Sequence, residues 1–434
     1  MDLSLPVPAH DAAGTDRLGQ ELTLASPIAA LDLDALDPHA EGAALRKAGP
    51  VAPVALPGRP GDRVMTAWAV TDYEVARTIL DDDDTFVKNP QAWHAYRDGL
   101  VPKRWPLLKV IAAGTLLNYD GADHRRLRRL VTSAFTHKRI TELTPRIEEI
   151  AHRLVAELPV RQTFDLRAGY AFRLPMEVIC ELIGLDARLD QQKLADAFDR
   201  FLNSHTTEEE FEAAQTAVAE ALAALVARKR ATPGEDLTSA LLQAHDEGHH
   251  LNEQELLETL FLLLIAGLET TQNLITNALV NLLDHPDQLG LALDGAVDYA
   301  AVAKETLRYD SPLNTLMFRF ARRTVQVGDV TIQEGEAILF ALAAIGRAPS
   351  LPDADRFRVD RPAADMRHLS FSHGVHYCLG APLALIETEV ALRVLLGQRQ
   401  ITSHQSRAEL PRIASLSTHC VASLPLTLAH KDAD

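Results

Sequence analysis

Phe371-Ser372-His373-Gly374-Val375-His376-Tyr377-Cys378-Leu379-Gly380-Ala381-Pro382-Leu383-Ala384-Leu385-Ile386-Glu387 is the most informative stretch of this chain. Its cysteine stands just before a segment with helical spacing, so amide N–H groups at the helix start can help hold a thiolate. Gly374 and Gly380 allow the backbone to turn sharply and to come close to a flat ligand. Phe371 offers an apolar wall. Two plainer readings compete. A Cys-x-Gly loop taken alone is most often the home of a buried, inert cysteine. His373, His376 and Cys378 form a run compatible with zinc, but no fourth ligand stands nearby and the usual paired spacing is absent. The complete Phe-x-x-Gly-x-His-x-Cys-x-Gly pattern is far more specific than either.

Upstream lie three further constellations. Glu305-Thr306-Leu307-Arg308 places a carboxylate and a guanidinium three apart on one helix face. Taken alone, such a pair is usually a surface ion pair worth under ~1 kcal/mol. Ala266-Gly267-Leu268-Glu269-Thr270-Thr271 lies inside a long apolar segment, Leu251 to Leu283, which reads as one helix with Asn252 as N-cap and Glu255 closing a capping box. Glycine and threonines in mid-helix weaken it, because a threonine hydroxyl can bond the carbonyl one turn back and open the ladder. Glu269 and Thr270 supply a titratable group and a hydroxyl, the two needs of proton delivery. A solvated Glu beside two Thr explains the same letters at least as well. His124-Arg125-Arg126-Leu127-Arg128-Arg129 is a basic cluster in an acidic chain, with His124 and Arg128 four apart on one face.

The rest is mostly helical in period. Met65 to Val70 reads as a strand, Asp72 to Leu80 as a short helix, and His124 to about Leu283 as largely helical, with an Ala-rich helix over Ala213 to Ala227. Pro233-Gly234 ends that helix and Asp236 opens the next. Strand-like pieces follow Pro312: Arg323 to Val327, Val330 to Ile332 and Ala337 to Ala341. A last helix runs from Ala381 to about Leu396, and Ile413 to Leu428 reads as short strands. Residues 1 to about 25 lack periodicity and read as a poorly ordered tail. Residues 26–434 read as one mainly α domain with a minor β part and no dividing linker.

On these motifs the chain resembles the cytochrome P450 family, of the soluble bacterial type, from about residue 60 to the end. The resemblance implies a triangular helical prism with haem b (iron protoporphyrin IX) buried between two helices. It implies Cys378 as the axial thiolate, a strong donor to iron, with Phe371 packed near the sulfur. Gly380, Ala266 and Gly267 then lie against the haem. His124, Arg128, Arg319, His368 and His376 are the implied partners of its propionates. Glu269 and Thr270 are the acid–alcohol pair that guides protons to dioxygen. Glu305 and Arg308, which stand 36 residues after Glu269 and 70 before Cys378, become a buried structural pair completed by Arg361. Two departures stand out: Ser372 replaces the usual Gly, and Gly346-Arg347-Ala348-Pro349 replaces the usual Asn-Arg-Asp-Pro.

Function then follows as expectation. The resemblance implies a monooxygenase that inserts one oxygen atom from O2 into a bulky, apolar small molecule, a secondary metabolite, with electrons passed from NAD(P)H by a reductase and a ferredoxin. Trp93, Tyr96, Leu268, Leu313, Asn314, Thr315 and Thr418 are the candidate pocket residues, and Arg125, Arg126 and Arg129 a candidate docking patch for the acidic donor. Oxidative C–C or C–N coupling at the same haem, and a haem carrier or sensor without turnover, are the alternatives. The formal net charge of −17 over 434 residues argues against a nucleic-acid binder. Three cysteines, Cys180, Cys378 and Cys420, do not make a disulfide framework and suit a reducing compartment. No signal peptide is visible in Met1 to Ala30 and no apolar run reaches about 18 residues, so no membrane span is expected. The expectation is a cytoplasmic monomer.

Overall fold

The computed structural model describes residues 29–31, 37–58, 63–102, 105, 107–112, 114–185, 197, 200, 207–244 and 250–431. The expected N-terminal tail, residues 1–25, and most of the stretch 197–207 lie outside them. Helices dominate. Those that position the site are α1 (Pro38–Ala48), α2 (Gly121–Ala134), α3 (His137–Glu157), α4 (Arg173–Ile183), α5 (Glu208–Ala231), α6 (Glu253–Asp284), α7 (Tyr299–Tyr309) and α8 (Ala381–Gln398). A shorter helix, Tyr73–Asp81, is capped by Asp72, whose carboxylate accepts from the Glu74 and Val75 amides.

The main sheet has six strands in the order β1-β2-β3-β9-β6-β4. They are β1 (Ala29–Ala30), β2 (Val51–Leu56), β3 (Met65–Val70), β4 (Phe86–Val87), β6 (Thr315–Ala321) and β9 (Ala337–Ala341). β5 (Thr163–Asp165), β10 (Arg399–Ser403) and β11 (Pro425–His430) make a second sheet, and β7 (Val325–Val327) and β8 (Val330–Ile332) a hairpin. β2 and β3 pair antiparallel, β3 and β9 parallel, and β6 and β9 antiparallel with an irregularity between Leu316 and Arg319. That irregularity re-aims the Arg319 side chain.

The sequence reading missed one strand. β6, Thr315–Ala321, was not expected, while the strand expected at Arg323 to Val327 forms as β7 from Val325, after a bend at Arg322 to Thr324. The alternation of buried Phe318 and Phe320 is the signal that was missed. Of the expected C-terminal strands, β11 forms. Residues 413–424 are held instead by isolated bridges, Leu313 to Thr418 and Arg412 to Val421.

α6 is the spine. Asn252 caps it, accepting from the Glu255 amide at 2.9 Å, while Glu255 accepts from the Asn252 amide at 3.0 Å. From Thr271 to Leu282 every residue is buried, because α4, α7 and α8 pack around this half. By length and hydropathy alone α6 qualifies as a membrane span, against the sequence expectation. Its apolar side chains instead belong to the main helical core, with Ile147, Leu154, Ile183 and Leu395. The helix also runs unbroken past Thr270. Thr270 Oγ1 does bond Ala266 O, at 2.7 Å, but a carbonyl has two lone pairs and the extra donor does not open the ladder.

Candidate active site

The cysteine loop is built by local constraints. The Cys378 amide donates to Phe371 O at 2.9 Å and the Tyr377 amide to Gly374 O at 3.0 Å. Gly374 has φ +68°, and a Cβ there would lie 2.6 Å from Leu80 O, so glycine is required. Ser372 also lies in the left-handed region, at φ +61°. Gly380 is different: its φ is −81° and a Cβ would meet only the Cys378 sulfur, at 3.9 Å. The turn therefore does not need it. Cys378 precedes α8, so the Gly380 and Ala381 amides face the sulfur. Burial pushes the thiol up, and these amides and Arg128 oppose that shift. Arg128 Nη2 also donates to Tyr377 O at 2.7 Å. The zinc reading finds no geometry here. His373 pairs with Asp81 at 3.0 Å and the His376 ring lies 4.1 Å from that of His124. Among the described residues the His/Asp group that converges is His39, Asp310 and His419, which does not include Cys378.

A second group gathers beside this loop. His124 is buried with Nε2 lacking a partner. Arg319 is only 3% exposed and has no ion pair among the described residues, and burial pulls its guanidinium down to about 10. His376 is lowered by burial, then by Arg319, His124, Lys88 and Arg128. Lys88 is drawn well below its usual value by burial and by Arg319. Buried cations and an orphaned ring nitrogen around one point call for anions. The two propionates of a haem fit this donor set. His368 lies beside the same loop. Its ring packs edge-on against Phe371, its Nδ1 has no partner, and burial followed by repulsion from Lys304 pulls it to about 4. A buried ring nitrogen without a partner fits the expected propionate role of His368, as it does at His124. Lys88 was missed; its only sequence signal is a lone Lys closing the apolar pair Phe86-Val87.

On α6, Ala266 is exposed while Leu264 and Leu268, two positions either side, are buried. This helix face borders open space, as a flat cofactor requires. A Cβ on Gly267 would meet nothing closer than Ile179 Cδ1 at 3.5 Å. Glu269 Oε1 accepts from Thr418 Oγ1 at 2.8 Å. Burial raises the Glu269 carboxyl, with the Thr418 hydrogen bond and Arg167 opposing. The Thr270 hydroxyl, committed to Ala266 O, does not bond Glu269.

Glu305, Arg308 and Arg361 meet in the core. Arg308 donates through Nε and Nη2 to both Glu305 oxygens, at 2.8 and 2.7 Å. Arg361 Nε lies 3.3 Å from each oxygen. The outer guanidinium hydrogens reach carbonyls of the irregular stretch: Arg308 bonds Gly346, Ala354 and Arg356, and Arg361 bonds Pro352, Asp353 and Arg356. A Cβ on Gly346 would lie 1.9 Å from Arg308 O, which accounts for glycine in a stretch that departs from the usual Asn-Arg-Asp-Pro.

Several expected pocket residues have other tasks. Trp93 is buried and stacked on Phe318 and Phe320 with Trp105 beside it, so it packs the sheet-side core and does not face a pocket. Leu268 is 1% exposed inside the helical core. Asn314 Nδ2 donates to Ser415 O and Thr418 O, and Thr315 Oγ1 to Leu416 O. Their polar groups latch the 415–418 segment in place. Tyr96 and Leu313 remain partly exposed.

The comparisons with known proteins agree. The family model described as Cytochrome P450 matches residues 187–289 and 299–417. The chain is 40% identical to 2-hydroxy-5-methyl-1-naphthoate 7-hydroxylase of Streptomyces carzinostaticus, over 82% of this chain and 86% of that protein. It is 38% identical to the cytochrome P450 monooxygenase PikC of Streptomyces venezuelae, over 88% and 89%. The solved structure of CYP154C4 from Streptomyces sp. ATCC 11861 superposes with a TM-score of 0.87 at 36% identity, covering 94% of this chain and all of that one. The chain therefore belongs to the cytochrome P450 family and is a haem-dependent monooxygenase of the bacterial type.

Proposed function

We propose that this monooxygenase hydroxylates a bulky, apolar small molecule of secondary metabolism, drawing electrons from NAD(P)H through a ferredoxin and its reductase. When bound, the haem supplies the iron at which O2 is reduced and one oxygen atom is transferred. The chain's residues supply the rest. Cys378 would ligate the iron, its sulfur held by the Gly380 and Ala381 amides. His124, Arg128, Arg319, His368 and His376 would hold the propionates, with Lys88 adding positive charge. Glu269 would hold and pass a proton, and Thr270 stands next to it on the same helix. Ala266 and Gly267 leave the space, and Tyr96 and Leu313 offer apolar wall to the substrate.

The observation that carries this reading is the pairing of a titratable Glu269 with the open helix face at Ala266. A carrier or sensor needs the open face and not the acid. Support for the substrate class comes from relatives named as hydroxylases, of a naphthoate and of 6-deoxyerythronolide B. Support for the electron donor comes from the cysteine side, where Val375 and Tyr377 are exposed apolar groups beside exposed Arg125 and Arg129. Arg126 is withdrawn from that patch by its pair with Glu255. A monomer in the cytoplasm is the matching state.

The test has two stages. Reduced protein treated with carbon monoxide must show the red-shifted Soret band of a thiolate-ligated haem, and Cys378→Ser must abolish it. Turnover with ferredoxin, reductase and compounds selected by spectral binding must then add one oxygen to the product mass. Loss of two hydrogens instead identifies oxidative coupling, and no turnover with any binder identifies a carrier.

A further inference from the structure

The segment around Thr418 is fastened at nearly every polar backbone group. Asn314 N donates to Ser417 O at 2.8 Å, and Asn314 Nδ2 to Thr418 O at 3.0 Å. The Thr418 amide donates to Ser415 Oγ at 3.0 Å, the His419 amide to Pro312 O at 2.9 Å, and Asn277 Nδ2 to His419 O at 2.9 Å. The result is a rigid mount, tied to β6 on one side and α6 on the other. From this mount the Thr418 hydroxyl reaches across to Glu269. Thr418 is 6% exposed, so water does not compete freely for that bond.

Among the described residues no other hydrogen bond holds this carboxylate. Thr270, next in sequence, points elsewhere on the helix, since adjacent residues do not share a face, and its hydroxyl is used on Ala266 O. Arg167, on the π-helical turn Arg167–Ala171, is the charged group that faces Glu269 among the described residues. Its guanidinium is engaged with Asn273 Oδ1 at 3.3 Å and with Cys420. α4, α5, α7, α8 and the helices Leu237–Gln243 and Pro286–Leu293, which also pack against α6, bring no charged group to it among the described residues. A hydrogen bond to an ionised acceptor is among the stronger ones, so the single donor matters.

We propose that Thr418 is a positioning residue for proton delivery: its hydroxyl fixes the Glu269 carboxylate and ties the acid to the rigidly held segment 415–418. The proposal rests on the reading of Glu269 as the proton donor. It replaces the simpler role of Thr418 as a substrate contact, because the one hydroxyl proton is already donated to Glu269.

The test compares Glu269→Gln, Thr418→Val, Thr418→Ala and Thr418→Ser in haem-loaded protein of unchanged carbon monoxide spectrum. Two readouts are used: O2 consumption driven by NADPH, reductase and a plant-type ferredoxin across pH, and the infrared band of the protonated Glu269 carboxyl, identified by its loss in Glu269→Gln. Removing the acid should slow O2 consumption by about 100-fold. Losing the hydroxyl in Thr418→Val should slow it roughly tenfold, the scale of one hydrogen bond to a charged group, and should move both the rate profile and the infrared titration to higher pH. Thr418→Ala must show the same shift and Thr418→Ser must restore the wild-type profile. If Glu269→Gln is slow but Thr418→Val and Thr418→Ala keep the wild-type rate and titration, the proposal is overturned and the acid reading stands. If Glu269→Gln is as fast as wild type, both fall.

Discussion

Two buried charge clusters in this protein are built from the same residue types and end in opposite states. Around Glu305, the carboxylate is matched by Arg308 and Arg361, and the spare guanidinium hydrogens of Arg308 all reach backbone carbonyls, as do most of those of Arg361. Around His124, cations from Arg319, Arg128 and Lys88 converge, Arg319 has no ion pair among the described residues and feels Asp120 and Asp83 only at a distance, and a ring nitrogen is left without a partner. The first set is closed and serves architecture. The second is open and awaits a dianionic ligand. A third site shows why sign matters. Glu387, on α8, is buried with Oε2 unpartnered, and burial pushes its carboxyl up to about 8. An unpaired acid can neutralise itself by taking a proton. An unpaired arginine cannot shed one under ordinary conditions, so it must be given a counter-charge.

The largest effect should come from breaking the closed cluster. Arg308→Ala leaves Glu305 and Arg361 mismatched in the core and should cost roughly 3–5 kcal/mol, read as a collapse of the urea midpoint or of soluble yield. A well-folded Arg308→Ala protein would show that the closed set is dispensable and break the contrast.

Glu387→Gln comes next. The folded carboxyl sits near 8 and the unfolded one near 4.5. Stability from this group is therefore fully present below about pH 4.5, declines as pH rises, and is gone above about pH 8. The amide should flatten that slope in urea titrations run at several pH values. An unchanged slope means Glu387 has found a counter-charge.

Arg319→Met tests the open cluster with two signs at once. Without ligand, Asp120 and Asp83 offset the buried Arg319 charge in part while burial dominates, so its removal should leave stability unchanged or higher. With haem, loss of one propionate donor should speed haem transfer to apomyoglobin about tenfold, as expected for ~1.4 kcal/mol. If the ligand-free protein is instead badly destabilised, Arg319 belongs with the closed set.

The smallest effect concerns the loop between the clusters. Ser372 occupies a left-handed conformation at φ +61°, so Ser372→Gly should raise stability by about 1 kcal/mol, a few degrees in melting temperature. A loss of stability would mean that the Ser372 side chain makes a contact outweighing its backbone strain.

Periodicity made the fold legible where it was strong. β3, β8 and β9 fall where the alternation placed them, and α6 begins where Asn252 and Glu255 said it would. β6 was missed because Leu313 to Leu316 looked like loop. Its seven-residue strand shows only when the buried side of Phe318 and Phe320 is known. The site divides in the same way. The cysteine loop and the acid–alcohol pair carry fixed local spacing. Trp93 and Leu268 looked like pocket residues from their place in line, and the fold turns them toward Phe318 and Phe320 and into the helical core.

The sequence by itself determined which groups are present and which lie within a turn or a loop of each other, because spacing along one helix or strand fixes direction through backbone geometry alone. It therefore delivered Cys378 ahead of α8, Glu305 with Arg308, and Glu269 beside Thr270. Only the tertiary structure decided which distant groups meet: Lys88 with Arg319, Thr418 with Glu269, Arg361 with Glu305. Those meetings depend on how whole elements pack, and burial, which sets the energy of each charge, is a property of that packing and of no single stretch of chain.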